Sequence, residues 1–279
     1  MTAFDPRPCA LGEGAFWHPA RQQFFWFDIL GRRLLSRRGE EALEWRFNRM
    51  ASAAGWIDAD RLLIATETGL AILDLEGGGL SDHVAVEEDQ PETRSNDGRA
   101  DRLGGFWFGT MGKGAEDGAG AIYRYWRGTV HCLFSAVSIP NAITFSPDGR
   151  IAHFADTAEG LVWTQALDAE GWPEGPRQVF LDLRAEGLNP DGAVIDAEGG
   201  FWCAKYGAGA VMRYDTAGRC THRLPVPGLQ STCPAFGGAD LAEMIVTTAY
   251  HGGPDDAAQG RTYHLRPGMR GLPEPRVIL

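Results

Sequence analysis

Four short segments set an acid or an amide beside glycine or proline: Leu11-Gly12-Glu13-Gly14-Ala15-Phe16-Trp17, Ser95-Asn96-Asp97-Gly98, Pro140-Asn141-Ala142 and Asn189-Pro190-Asp191-Gly192. The carboxylates of Glu13 and Asp191 with the amide oxygens of Asn96 and Asn141 would make a hard, oxygen-rich donor set. Such a set suits Ca2+, Mg2+ or Mn2+, or Zn2+ or Fe2+ with waters completing the shell. Taken singly, Asn and Asp before Gly are turn formers first. Glu13 is harder to read that way: flanking glycines leave no bulk beside it, as a close backbone approach requires, and the apolar Phe16-Trp17 follows at once. A common site therefore needs a fold that gathers residues far apart in the chain.

Strand signals supply one. Runs such as Gln23–Asp28, Arg61–Thr66, Gly105–Thr110 and Gly200–Ala204 are short, aromatic or branched, and bounded by turn residues. Pro147-Asp148-Gly149 and Ala197-Glu198-Gly199-Gly200 sit between two apolar runs, where glycine allows a tight hairpin. Helical periodicity is weak. The pattern restarts six times, at about residues 12–50, 51–93, 94–137, 138–187, 188–230 and 231–274, with the last unit closed by N-terminal residues. A sheet of about 40 to 45 residues cannot bury both faces alone, whereas six arranged radially cover one another and leave only short edges. The expected fold is all-β: residues 1–279 as a single six-bladed β-propeller, with a metal site at the central channel where inner strands from different blades converge.

Composition narrows the function. The chain has 279 residues, 44% hydrophobic and 23% charged, with a formal net charge of −11. That balance provides a core and disfavours nucleic acid and anionic membrane surfaces as partners, since both call for clustered Lys and Arg. No apolar run approaches the roughly 18 residues of a membrane span, and no secretory signal is readable. Five scattered cysteines, without C-x-x-C pairs, read as reduced thiols, mostly buried, in a cytoplasmic protein. No obligatory protein partner is evident. There is no Gly-x-Ser-x-Gly elbow, no His-Glu-x-x-His, and Gly207-Ala208-Gly209 lacks the third glycine of a dinucleotide loop, so serine hydrolase, zincin and dinucleotide chemistry drop out. His18, His153 and His251 are candidates for the channel, but a lone His is more often structural. Trp17, Trp26, Trp107 and Trp202 read as core, while Trp126, Trp163 and Trp172 have no assigned role.

Together, Leu11-Gly12-Glu13-Gly14-x-x-Trp17, Asn96-Asp97-Gly98 with Asp101 and Gly105–Met111, Asn141 before Ser146-Pro147-Asp148-Gly149, and Pro190-Asp191-Gly192 with Asp196-x-Glu198-Gly199-x-x-Trp202 resemble the regucalcin and gluconolactonase family of sugar-lactone hydrolases. The resemblance extends to Cys233–Leu241 and Thr247-Thr248-Ala249. It implies that Glu13, Asn141 and Asp191 bind one divalent metal ion and that Arg94 and Asn96 contact the substrate. Ala15 and Ala142 depart from the residues frequent in relatives, though neither removes a ligand. The loop Met111–Gly118 carries Lys113 and Glu116 where animal regucalcins place an acid facing the substrate, which leaves the identity of the sugar open.

The implied activity is metal-dependent opening of a sugar lactone to its aldonic acid, the cation polarising the carbonyl and Asp191 serving as candidate general base. A promiscuous metal-dependent esterase or phosphotriesterase is the rival enzyme. A non-catalytic calcium-binding propeller is the third reading, disfavoured because a scaffold has no need of acids and amides at the inner-strand starts.

Overall fold

The computed structural model describes residues 2–279. An N-terminal strand β1 (Thr2–Asp5) precedes five complete four-stranded sheets: β2 (Gly12–His18), β3 (Gln23–Asp28), β4 (Arg33–Arg38) and β5 (Glu41–Arg46); β6 (Ala51–Trp56), β7 (Arg61–Thr66), β8 (Gly69–Asp74) and β9 (Leu80–Ala85); β10 (Thr93–Ala100), β11 (Phe106–Gly112), β12 (Gly120–Trp126) and β13 (Thr129–Val137); β14 (Pro140–Phe145), β15 (Ile151–Asp156), β16 (Leu161–Ala166) and β17 (Gln178–Asp182); β18 (Asn189–Ile195), β19 (Phe201–Tyr206), β20 (Ala210–Tyr214) and β21 (Cys220–Pro225). The sixth sheet holds β22 (Ser231–Gly237), β23 (Glu243–Thr248) and β24 (Thr262–Leu265), and β1 completes it from outside. The molecule is thus a six-bladed propeller whose last blade is closed by the N-terminal strand.

Burial follows the radial arrangement. The inner strands β2 and β22 are buried at every residue, whereas the outer strands β5 and β21 have alternating, more exposed side chains. An inner strand is covered on both faces by adjacent blades; an outer strand meets solvent. Among the described residues the core divides into six clusters, each shared by two neighbouring blades. Trp26, Trp107 and Trp202 are fully buried, one in each of three of these seams. A ring of that size buries about 150–250 Å², so the aromatic runs of the second strands hold the blades together rather than offering a surface for sugar to stack on.

Trp126 and Trp172 sandwich the Arg124 guanidinium, each ring about 4.4 Å from it, and Arg177 covers Trp163. His18 bonds the Asp58 carbonyl and His153 is wedged between Phe180 and Phe201, so both lie in seams between blades and not in the channel. Cys9, Cys203 and Cys233 are buried, Cys132 and Cys220 exposed, and none is in a disulfide. Among the described residues no helix is long and apolar enough to cross a membrane.

Each inner strand carries a register shift near its start: between Glu13 and Phe16, Ala51 and Ala53, Ser95 and Gly98, Asn141 and Thr144, Pro190 and Ala193, and Ser231 and Pro234. One extra residue at each point bulges the strand and re-aims the side chains around it. Asn96-Asp97-Gly98 and Pro190-Asp191-Gly192 are therefore bulged strand, not the turns their composition suggests.

Candidate active site

The bulges bring together Glu13, Arg94, Asn96, Asn141 and Asp191, all of them buried. Glu13 owes its position to Gly14, whose φ of +55° lies in the left-handed region and whose Cα faces the Ser52 carbonyl so closely that a Cβ would stand 2.0 Å from it. The Gly14 N–H donates to Glu13 Oε2 at 3.1 Å. In the same way the Gly192 N–H donates to Asp191 Oδ1 at 3.0 Å, and a side chain at Gly192 would press on Cys233 and the Thr232 carbonyl.

Asn141 is held by both ends of its amide. Its Nδ2 donates to Thr157 Oγ1 at 2.9 Å, the Thr157 hydroxyl donates onward to the Pro190 carbonyl at 2.6 Å, and Asn141 Oδ1 accepts from Asn96 Nδ2 at 3.1 Å. Those partners fix which atom is oxygen and leave Oδ1 one free lone pair. Asn96 Oδ1 in turn accepts from Arg94 Nη1 at 2.8 Å, and the same Nη1 reaches the Ser95 carbonyl at 2.9 Å. Ala142, the residue after Asn141, has φ +57°. A left-handed alanine costs about 1 kcal/mol against glycine, so Ala142→Gly is expected to raise the stability by that amount in denaturant titrations and leave Asn141 in place.

Electrostatically the site is two acids without a base. Neither Glu13 nor Asp191 has a Lys, Arg or His nitrogen within 4.0 Å among the described residues, and the two carboxyls are within hydrogen-bonding reach of each other. Burial and the nearby Asp97 push Glu13 up to about 8; burial and Glu13 push Asp191 well above the carboxylate range. Arg94, near both, is lowered by burial and held up by their charges. The pair titrates as a unit and asks for either a proton or a cation.

The linkage has a definite sign. The folded acid binds its proton more tightly than the unfolded one, whose ordinary value is 4.5 for Glu, so the chelated protein is expected to lose stability as pH rises from about 4.5 to about 8. Melting temperatures in chelator across that range, and their flattening when a divalent ion is added, test this.

The donor set fits a divalent cation: two buried carboxylates with no ion-pair partner in contact, and an amide oxygen oriented by its own hydrogen bonds. Among the described residues no group of three or more His, Cys, Asp or Glu is placed to hold an ion; a site built on this carboxyl pair would need a donor of another type, and the Asn141 amide oxygen is the one its hydrogen bonds orient. Outside this cluster, Lys113 Nζ donates to Glu67 Oε2 at 2.6 Å and to the Pro91 carbonyl, and Glu116 turns back to accept the Gly114 N–H. His251 lies on an exposed loop and contributes its carbonyl to Tyr206.

Residues of this neighbourhood not singled out from sequence are Thr157, Asp97 and Tyr206, whose hydroxyl is pushed up by burial and by the nearby Asp191 and Glu13. Thr157 follows a strand end capped by Asp156, which accepts the N–H groups of Ser138, Ile139 and Ala158, and its hydroxyl is held between Asn141 and the Pro190 carbonyl. Asp97 is buried, and its Oδ2 accepts the Ile143 N–H at 2.7 Å; the turn reading of Asn-Asp-Gly hid it.

Known proteins share this architecture. A solved structure of a calcium-binding regucalcin from Agrobacterium tumefaciens superposes with a TM-score of 0.96 at 41% identity, covering 99% of this chain and 97% of that one. A provisionally named sugar lactone lactonase of Rhizobium meliloti is 40% identical over 279 residues, 96% of this chain and 94% of that protein. The L-arabinolactonase of Azospirillum brasilense is 35% identical over 255 residues, 88% and 83% of the two chains. Residues 11–250 match the SMP-30/Gluconolactonase/LRE-like region, and on that match and these identities the chain belongs to the SMP-30/gluconolactonase family.

Proposed function

We propose that the chain, acting as one propeller domain, hydrolyses a sugar lactone to the corresponding aldonic acid in a reaction that depends on one divalent ion held by Glu13, Asn141 and Asp191. The observation that carries the reading is the pair of buried carboxyls within hydrogen-bonding reach of each other, in the same cluster as an oriented amide oxygen. Membership of the family and relatives named as lactonases support the substrate class. A bound cation would polarise the lactone carbonyl and acidify a water.

The protein's own groups do the rest. Asp191 is the candidate base: one oxygen is oriented by the Gly192 N–H, and with a bound cation in place of the proton shared with Glu13 its carboxylate would be able to take a proton from the attacking water. Arg94 uses only Nη1 in the protein, so its remaining donors are available to a sugar hydroxyl or to the carboxylate that forms. Asn96 orients both Arg94 and Asn141, and the second lone pair of its Oδ1 can accept from a sugar hydroxyl.

The test is acid release from glucono-, galactono-, xylono- and arabinono-lactones by metal-stripped protein, followed with a pH indicator while single divalent ions are restored. Turnover should be absent after stripping and return with one or more of Ca2+, Mn2+, Mg2+, Zn2+ or Fe2+. Turnover of aryl esters or phosphotriesters but of no lactone would favour the rival esterase; ion binding with no turnover of any ester would leave a calcium-binding scaffold.

A further inference from the structure

The last residues of the chain lie against the turns that follow the inner strands, at the end of the channel away from Glu13 and Asp191. The Gly271 N–H donates to the Leu241 carbonyl and the Ala197 N–H to that of Arg270; further on, Val277 N–H reaches the Trp56 carbonyl and Ile278 N–H that of Gly104. The segment thus passes from the fifth and sixth blades to the second and third, across the propeller axis. It is seated, not draped: Val277 is fully buried, and Gly55 has no Cβ where the Val277 Cγ2 lies.

Midway, Glu274 forms an ion pair with Arg99, and both side chains are about nine-tenths buried. The cavity left beside them, lined by Arg99, Thr144, Val194, Pro273 and Glu274, has a volume of about 20 Å³, room for a single water.

Arg99 belongs to β10, three residues after Asn96. Its Nη2 donates to the Ala193 carbonyl at 3.2 Å, on the inner strand of the fifth blade two residues beyond Asp191. Asp97, on the same strand, receives the Ile143 N–H two residues beyond Asn141. One short stretch of β10 therefore ties together the two strands that carry Asn141 and Asp191, below the level of the site. Among the described residues, Glu274 is the one carboxylate in ion-pair contact with the guanidinium in that tie.

We propose that Arg99 is a positioning residue for the cation site and that the C-terminal segment, through Glu274, holds it in place, so that ion affinity depends on a segment that never touches the ion. The inference rests on the metal-dependent reading above. Supporting groups around a metal site change its affinity about 10- to 100-fold when removed.

Titration calorimetry of Mn2+ into metal-stripped full-length protein tests it, with melting temperature recorded for each variant. Glu274→Ala is expected to weaken Mn2+ binding about 10-fold, and Glu274→Asp to recover part of the loss. If the alanine variant does not fold, the isosteric Glu274→Gln takes its place with the same expectation. Val277→Ala, on the same segment, should lower the melting temperature and leave Mn2+ affinity unchanged. Unaltered affinity in Glu274→Ala, or an equal loss in Val277→Ala at the same drop in melting temperature, overturns the proposal and leaves the lactonase reading standing. Absence of Mn2+ binding by the wild-type protein overturns both.

Discussion

Asp191→Asn is expected to lower lactone turnover by about 10²–10⁴-fold, the usual contribution of a general base, and to weaken ion binding as well. The substitution keeps size and shape, and an amide oxygen can still accept the Gly192 N–H at the place of Oδ1. It removes a buried carboxyl whose proton affinity is raised by burial first and by the neighbouring Glu13 second. In chelator, Asp191→Asn should therefore melt higher than the wild type at pH 8, because a buried ionisable group is replaced by a neutral one and its charge no longer meets that of Glu13. That opposite movement of stability and activity is the signature of a functional group kept at a stability cost. Near-full activity in Asp191→Asn, measured at saturating divalent ion, would reject Asp191 as the base. Lost activity with a lowered melting temperature would reduce its role to structure.

Gly14→Ala is expected to destabilise the fold by about 3 kcal/mol or more, enough that little soluble protein accumulates. A methyl group at this position would meet the Ser52 carbonyl at 2.0 Å and the Phe27 ring at 3.0 Å, on a backbone at φ +55°. Relief by movement of Ser52 is blocked, since its hydroxyl is bonded to Ser95 at 2.7 Å in the next inner strand. Ala142 has nearly the same φ of +57° and already carries a Cβ within the seam between the fourth and fifth blades. The two positions separate conformational strain from steric exclusion: the strain alone costs about 1 kcal/mol, and the clash supplies the remainder. Chemical denaturation of both variants side by side checks the difference, and a Gly14→Ala protein as stable as the wild type would mean that the inner strands are not in close contact there.

The blades were legible because strand-forming runs and turn chemistry are local. Asp196, for example, accepts the Glu198 and Gly200 N–H groups and the Trp202 indole, so the Asp-x-Glu-Gly-x-x-Trp spacing encodes a hairpin anchor with no help from distant residues. Asp101 repeats the device in the third blade with Leu103 and Gly105. Glu13 also stood out locally, since two flanking glycines announce a close backbone approach. The histidines did not yield to the same treatment, because a ring wedged between Phe180 and Phe201 and one facing an active site look alike in sequence.

By itself, the amino-acid sequence determined the number of blades, the placement of the hairpins and the stock of oxygen donors, all properties of segments shorter than about ten residues. Tertiary structure alone decided which way those donors point and what charge they carry. One extra residue in each inner strand shifts the two-residue alternation of side chains, and the ionisation of Glu13 and Asp191 depends on burial by blades far away in the chain. The same holds for Arg99, whose partner Glu274 lies 175 residues further on: local pattern cannot contain a contact made only when the wheel closes.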